Sequence, residues 1–334
     1  MFSKLLGISV LCLSFALGWL MMDIQQFAKS PMDLPESGID YTLKQGTSLR
    51  ALAQDLEKKG HIRSSIYLRV IARWTGEGKL IKAGEYHIQP GTNPTQLLKQ
   101  LVSGEVTTYN ITLVEGLTFR QMMKLIGENR ALSHTLSGLT DKQIMAKLGR
   151  EEMHPEGRFL ADTYNFPKGS SDLSLLKRAF KAMEELLKKE WETREPSIPL
   201  KNPYEALILA SIVEKETALA KERPEIAGVF TRRLNKGMRL QTDPTVIYGM
   251  GDKYKGNIRR KDLQTDTPYN TYTRSGLTPT PICMPGKDAI RAVMHPAPGK
   301  SLYFVARNQG DGSHQFSETL KEHNKAVRKY QLKR

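Results

Sequence analysis

Residues 202–220 read NPYEALILASIVEKETALA, in which the apolar run 206–220 carries two carboxylates, Glu214 and Glu216, two positions apart. Asn202 can cap a helix, Pro203 suits its first position, and Glu205 stands three residues after the cap. Leu209, Ile212, Val213, Glu216, Leu219 and Ala220 then recur at spacings of three and four. The spacing predicts a helix through Ala220 with Glu216 on its core-facing stripe. Glu214 falls about 200° round the axis, beside Ala210, Ser211 and Ala218. A carboxyl among apolar neighbours has its charged form desolvated, so its pKa rises and it can hold a proton for general-acid work near neutral pH. The structural alternative pairs Glu216 with Arg232 or Arg233 of the following helix, ERPEIAGVFTRRLNKG.

The surrounding chain limits what such an acid could serve. Its 334 residues are 39% apolar, enough for one large or two modest cores. Lys and Arg outnumber Asp and Glu by 15, 50 against 35, which favours polyanionic partners. Leu5 to Met22, LLGISVLCLSFALGWLMM, is an uncharged run of membrane-spanning length, with Lys4 before it and Trp19 near its outer end. This predicts a retained anchor, N-terminus inside and the bulk of the chain outside. A signal peptide cleaved near Ala16–Gly18 is the alternative. Export argues against nucleic acid and for the anionic membrane surface or the cell wall. Cys12 lies in the apolar run and Cys283 is far away, so no disulfide framework is implied.

The pattern predicts an α+β chain: cytoplasmic tip and anchor over 1–22, linker over 23–38, a small α+β module over 39–104 and a larger mixed domain over 105–334. Tyr41 and Leu43 alternate as in a strand. Thr47 or Ser48 can cap a helix whose stripe is Leu49, Leu52, Ala53 and Leu56, ended by Gly60. A second Gly-Thr helix entry like that at Gly46 stands at Gly91. Further on, SDLSLLKRAFKAMEELLKKEWETRE predicts a long amphipathic helix with a solvated charged face.

Beyond Gly237, segments rich in Tyr, Asn, Gln, Thr and His offer ring faces and amides of the kind a pyranose needs. A groove of Tyr248, Tyr269, Asn270 and Tyr272 would suit a glycan strand, although ordinary packing explains each tyrosine alone. His295, His314 and His323 with Asp243 lack the tight spacing of a metal site, and no nucleophile elbow or phosphate loop occurs. No metal or cofactor is expected. Cys283 in PICMPG reads as a buried structural cysteine.

The motifs LASIVEKETA, RLNKGMRLQTDPTVIYGMG, TPYNTYTRSGLTPTPI, HPA, LYFVA and H-x-F, in this order, closely resemble the MltG (YceG-like) family of membrane-anchored endolytic murein lytic transglycosylases. The resemblance implies a LysM-like module over 39–104, a transglycosylase domain over 105–334 with its catalytic Glu on a helix, and residence in the bacterial inner membrane with that domain in the periplasm. It implies cleavage of the MurNAc-β-1,4-GlcNAc bond of nascent peptidoglycan strands to 1,6-anhydro-MurNAc ends, with peptidoglycan synthases as candidate partners. The sugar's C6 hydroxyl attacks the anomeric carbon, so one carboxyl suffices, unlike the two of ordinary glycosidases. That carboxyl maps to Glu216, with Glu214 and Thr217 in support and Gln241, Asp243, Tyr248, Tyr269, Asn270 and Tyr272 as groove or support residues. Arg232, Ala161 and Met284 depart from the family pattern, and Arg232 is a candidate contact for anionic stem peptides. A non-catalytic glycan-binding scaffold for wall synthases is the alternative function.

Overall fold

A computed structural model describes residues 2–332, with side chains from residue 6 onward. Met1 and residues 333–334, within the predicted terminal spans, lie outside the described residues, as does the Lys4 side chain on which the predicted orientation rests. The chain divides into two compact units, Met1–Tyr109 with Asn165–Gly169, and Asn110–Tyr164 with Ser170–Arg334. The chain passes from one to the other within strand β3, five residues beyond the predicted boundary at 104/105.

The first unit contains α1 (Phe2–Lys29), β1 (Ile39–Leu43), α2 (Leu49–Lys58), α3 (Ser65–Trp74), β2 (Gly84–Ile88), α4 (Pro94–Ser103) and the start of β3 (Thr108–Thr112). Over Leu6–Lys29, α1 is long and apolar enough to cross a membrane, with mean hydropathy 1.8 in its most apolar 18 residues. It runs on to Lys29 where the connector was expected from residue 23. Asp23 accepts hydrogen bonds from Arg63 at 2.6 Å and Tyr67 at 2.8 Å, and Ile24 and Phe27 are buried in this unit's core. Burying two such side chains contributes roughly 1.5–3 kcal/mol each, enough to continue the helix. β1 and β2 pair antiparallel with Tyr41 opposite Tyr86. Their inner residues pack on Leu52, Leu56, Leu68 and Leu97. Both predicted helix entries form: Ser48 accepts from the Ala51 N–H, Asn93 makes a capping box with Gln96, and Gly46 and Gly91 each turn the chain at φ +82°. Lys168 reaches Glu85 at 2.9 Å, tying Asn165–Gly169 to this unit.

The second unit contains the end of β3, α5 (Phe119–Gly127), α6 (Asp141–Lys147), the start of β4 (Thr163–Pro167), α7 (Asp172–Glu192), α8 (Pro203–Glu216), α9 (Arg223–Asn235), α10 (Asp243–Met250), α11 (Arg260–Gln264), α12 (Lys287–Met294), β5 (Tyr303–Ala306), β6 (His314–Ser317) and α13 (Leu320–Tyr330). At its centre is α8, started as predicted by Asn202, whose side chain accepts from the Glu205 N–H at 3.0 Å, with Pro203 first in the helix. Every residue from Ala206 to Val213 is buried, and α7, α9, α10 and α12 pack around it. The helix therefore has no single core-facing stripe, which is what a helix apolar all round adopts.

It also ends earlier than the spacing predicts. Thr217 is extended, at φ −145° and ψ 135°, and its hydroxyl accepts from the Leu219 N–H at 3.0 Å. That local bond gives the backbone a partner outside the helix, at a β-branched residue with modest helix propensity. Leu219 and Ala220 consequently leave the stripe. Ser211 anchors α8 laterally, accepting from the Ile282 N–H at 2.9 Å. Cys283 donates to the Ser211 carbonyl, and burial pushes its thiol well up. β5 and β6 form an antiparallel hairpin with Phe304 opposite Phe316, covered by α13.

Candidate active site

The end of α8 delivers Glu216 into a cleft of about 580 Å³, lined also by Arg233, Gln241, Thr242, Asp243 and Tyr272. The Thr242 hydroxyl donates to Glu216 Oε1. Burial pushes the Glu216 carboxyl up to about 7; the Asp243 charge adds to the rise, and the Thr242 bond and the Arg233 charge oppose it. Standing as the last residue of a helix reinforces this, because the negative end of the macrodipole disfavours a carboxylate. Near neutral pH such a group is about half protonated, so it can give a proton and later take one back.

The two arginines considered as partners are engaged elsewhere. Arg232 donates to the Ser301 and Ala297 carbonyls at 2.7 and 3.0 Å. Arg233 donates to Leu302, Leu240 and Arg239 carbonyls at 2.7, 2.9 and 3.0 Å. Among the described residues no cation forms a salt bridge with Glu216. Glu214 is the paired one: its side chain is 6% exposed, and it meets Arg223 at 2.8 Å and the Gly286 N–H at 3.0 Å. Burial raises its pKa, opposed by the Gly286 bond and Arg223. Glu214 thus ties α8 to the start of α9 and to the N-terminus of α12, and Thr217 is the buried residue that ends α8.

The predicted groove residues divide. Gln241, Asp243 and Tyr272 line the cleft with Glu216. Gln241 sits at φ +54°, an uncommon conformation for a residue other than glycine, and its side-chain oxygen lies 3.4 Å from Arg233 Nη1. Asp243 opens α10 and accepts from the Tyr272 hydroxyl at 2.6 Å. Tyr248, Tyr269 and Asn270 do not line that cleft. The Tyr248 hydroxyl donates to Glu156 at 2.9 Å, and the Tyr269 hydroxyl meets that of Thr280 at 2.9 Å. Asn270 is fully buried; its amide donates to the Leu263 and Thr265 carbonyls and its oxygen accepts from the Tyr272 N–H. It fixes the turn that presents Tyr272, a supporting place and not a groove place.

Residues 41–329 match the model of the YceG-like family. The chain belongs to the YceG-like family. It is 33% identical over 313 residues to the endolytic murein transglycosylase of Bacillus subtilis strain 168, covering 87% of this chain and 84% of that one. It is 28% identical over 319 residues to the endolytic murein transglycosylase of Streptococcus pneumoniae strain D39, of whose length it spans 57%. A crystal structure of a yceG-like protein from Listeria monocytogenes superposes with a TM-score of 0.54 at 29% identity, over 87% of this chain and 99% of that one.

Three features of the second unit escape a sequence reading. Thr242 stands inside LQTDPTVIYG, yet nothing local says that its hydroxyl meets Glu216. Arg223, nine residues after Glu214 and beyond a helix break, carries no sign of its ion pair. Glu156, 4% exposed, accepts from the Phe119 N–H and the Tyr248 hydroxyl, and burial pushes it up to about 7. Of the departures from the family pattern, Ala161 and Met284 are buried, and the Arg232 guanidinium is held by carbonyls and is not among the cleft-lining groups.

Proposed function

We propose that this chain is an endolytic peptidoglycan lytic transglycosylase with Glu216 as its single acid and base. The observation that carries the reading is a carboxyl with a pKa of about 7, unpaired by any described cation, in an open cleft. Protonated Glu216 donates to the oxygen of the MurNAc-β-1,4-GlcNAc bond as that bond breaks. The carboxylate so formed is stabilised by the Thr242 hydroxyl and the nearby Arg233 charge. It takes the proton of the MurNAc C6 hydroxyl as that oxygen closes on the anomeric carbon. The products are a free GlcNAc 4-hydroxyl and a 1,6-anhydro-MurNAc end; Glu216 regains its proton and no water is consumed.

Residues 39–104 serve as a LysM-like glycan-binding module and residues 105–334 as the transglycosylase domain. The apolar α1 anchors the chain in the inner membrane, N-terminus in the cytoplasm, with both modules on the periplasmic side beside nascent strands and the synthases that make them. The homologues named as transglycosylases and the proton-holding carboxyl both weigh against a pure scaffold. Mass spectrometry of uncrosslinked glycan strands digested by the full chain tests the reading: anhydro ends are expected. Water-derived reducing ends would make the protein a hydrolase, and intact strands would make it a scaffold.

A further inference from the structure

His314 lines the same cleft as Glu216 and is held in a way that ordinary packing does not require. Glu222 grips it twice: one carboxylate oxygen accepts from the His314 backbone N–H at 3.1 Å, the other meets Nδ1 at 2.7 Å. Both side chains are largely buried, 10% and 12% exposed. The rings of Phe304 and Phe316 flank the imidazole at 5.4 and 6.4 Å, Phe304 edge to face. In the neutral imidazole a carboxylate at Nδ1 selects the tautomer with the proton there and leaves Nε2 as a lone-pair acceptor. Nε2 has no hydrogen-bond partner among the described residues. Glu222 follows Glu216 by six positions, through the turn in which the Glu222 N–H donates to the Leu219 carbonyl. The imidazole is therefore held in register with the end of α8 that carries the proposed acid.

The geometry points to His314 as a substrate-positioning residue whose Nε2 accepts a hydrogen bond from a sugar hydroxyl of the glycan, with Glu222 setting its tautomer and direction. This rests on the transglycosylase reading for the ligand. Two of the cleft's donor groups, Arg233 and Tyr272, are committed to carbonyls and to Asp243, and an oriented acceptor at His314 supplies a complementary kind of contact to a hydroxyl-rich polymer.

The test separates the two nitrogens. Asparagine at 314 places an amide where Nδ1 stands and can still meet Glu222, but it reaches no further; glutamine extends an amide to the Nε2 position. In the full chain, His314→Asn is expected to lower kcat/KM for anhydro-end formation about 3- to 10-fold, the size of one uncharged hydrogen bond, mainly through KM and in a protein that still folds. His314→Gln should recover much of that loss. A purely structural histidine gives the reverse order, with Asn active and Gln impaired, and that order, or equal activity of all three proteins, overturns the proposal. Affinity for uncleaved strands measured in Glu216→Gln protein, with and without His314→Asn, reads the same contact without turnover. Anhydro ends from the wild type with no affinity loss in the double variant would sink His314 and spare the enzyme reading; affinity loss with no anhydro ends would do the opposite.

Discussion

Replacing Thr242 by valine removes the hydroxyl that donates to the Glu216 carboxyl while keeping a β-branched side chain of similar size. A hydrogen bond to the charged form lowers a carboxyl pKa, so its loss raises it. Hydrogen bonds to charged groups contribute about 1.5–3 kcal/mol and about 1.4 kcal/mol corresponds to one pKa unit. The low end applies in a cleft open to water, giving a rise of roughly one unit from the wild-type value of about 7. Donation to the glycosidic oxygen needs the protonated form, so the rate falls as pH rises through that pKa. The alkaline limb of kcat/KM should therefore move from about pH 7 to about pH 8 in Thr242→Val, and return towards 7 in Thr242→Ser. The height of the profile should drop, up to about tenfold, because the carboxylate formed during reaction loses its donor. The assay is release of anhydro ends from uncrosslinked strands between pH 5 and 9, each curve scaled to its own maximum. A folded Thr242→Val protein whose scaled limb is unmoved, or moved to lower pH, refutes the assignment of that limb to Glu216.

Glu216→Gln should lower the rate of anhydro-end formation by at least about 10²-fold without unfolding the protein. Its melting temperature should gain on the wild type as pH rises from about 5 to 7, since a folded pKa above the unfolded one makes ionisation destabilising. Arg223→Ala leaves the 6%-exposed Glu214 carboxylate without its cation and should cost about 3–5 kcal/mol of stability in urea unfolding; adding Glu214→Gln should restore a substantial part, and additive losses would show that the two do not interact. Glu156→Gln should flatten a loss of stability that the wild type shows between about pH 4.5 and 7, amounting to at most about 3 kcal/mol. Denaturation midpoints measured across that range check it, and parallel curves for the two proteins would contradict it.

Much of the scaffold was legible in local chemistry. The uncharged run through Met22, the cap at Ser48, the helix entry at Gly91 and the Asn202–Pro203 start of α8 each place a backbone group or an apolar surface by rules that act over a few residues, and all appear as expected. The end of α1 was not legible, because Asp23, Ile24 and Phe27 are held by Arg63, Tyr67 and a core assembled from residues far along the chain. The groove was legible in part: Gln241, Asp243 and Tyr272 reach the cleft, whereas buried Asn270 supports the turn beneath Tyr272.

The two glutamates divide the same way. The sequence by itself determined an apolar helix bearing both carboxylates and, through its motifs, the family and the candidate acid. The stripe that singled out Glu216 assumed a helix through Ala220, and α8 stops at Glu216 and is buried on all sides. Tertiary structure alone decided which carboxyl is paired with a cation and which lines the cleft. Arg223 returns after the break and Gly286 arrives from 72 residues away to hold Glu214, while Glu216 receives a hydroxyl and an open cleft. Ionisation depends on the charges and solvent within a few ångströms, and those neighbours are set by the folded path of distant segments.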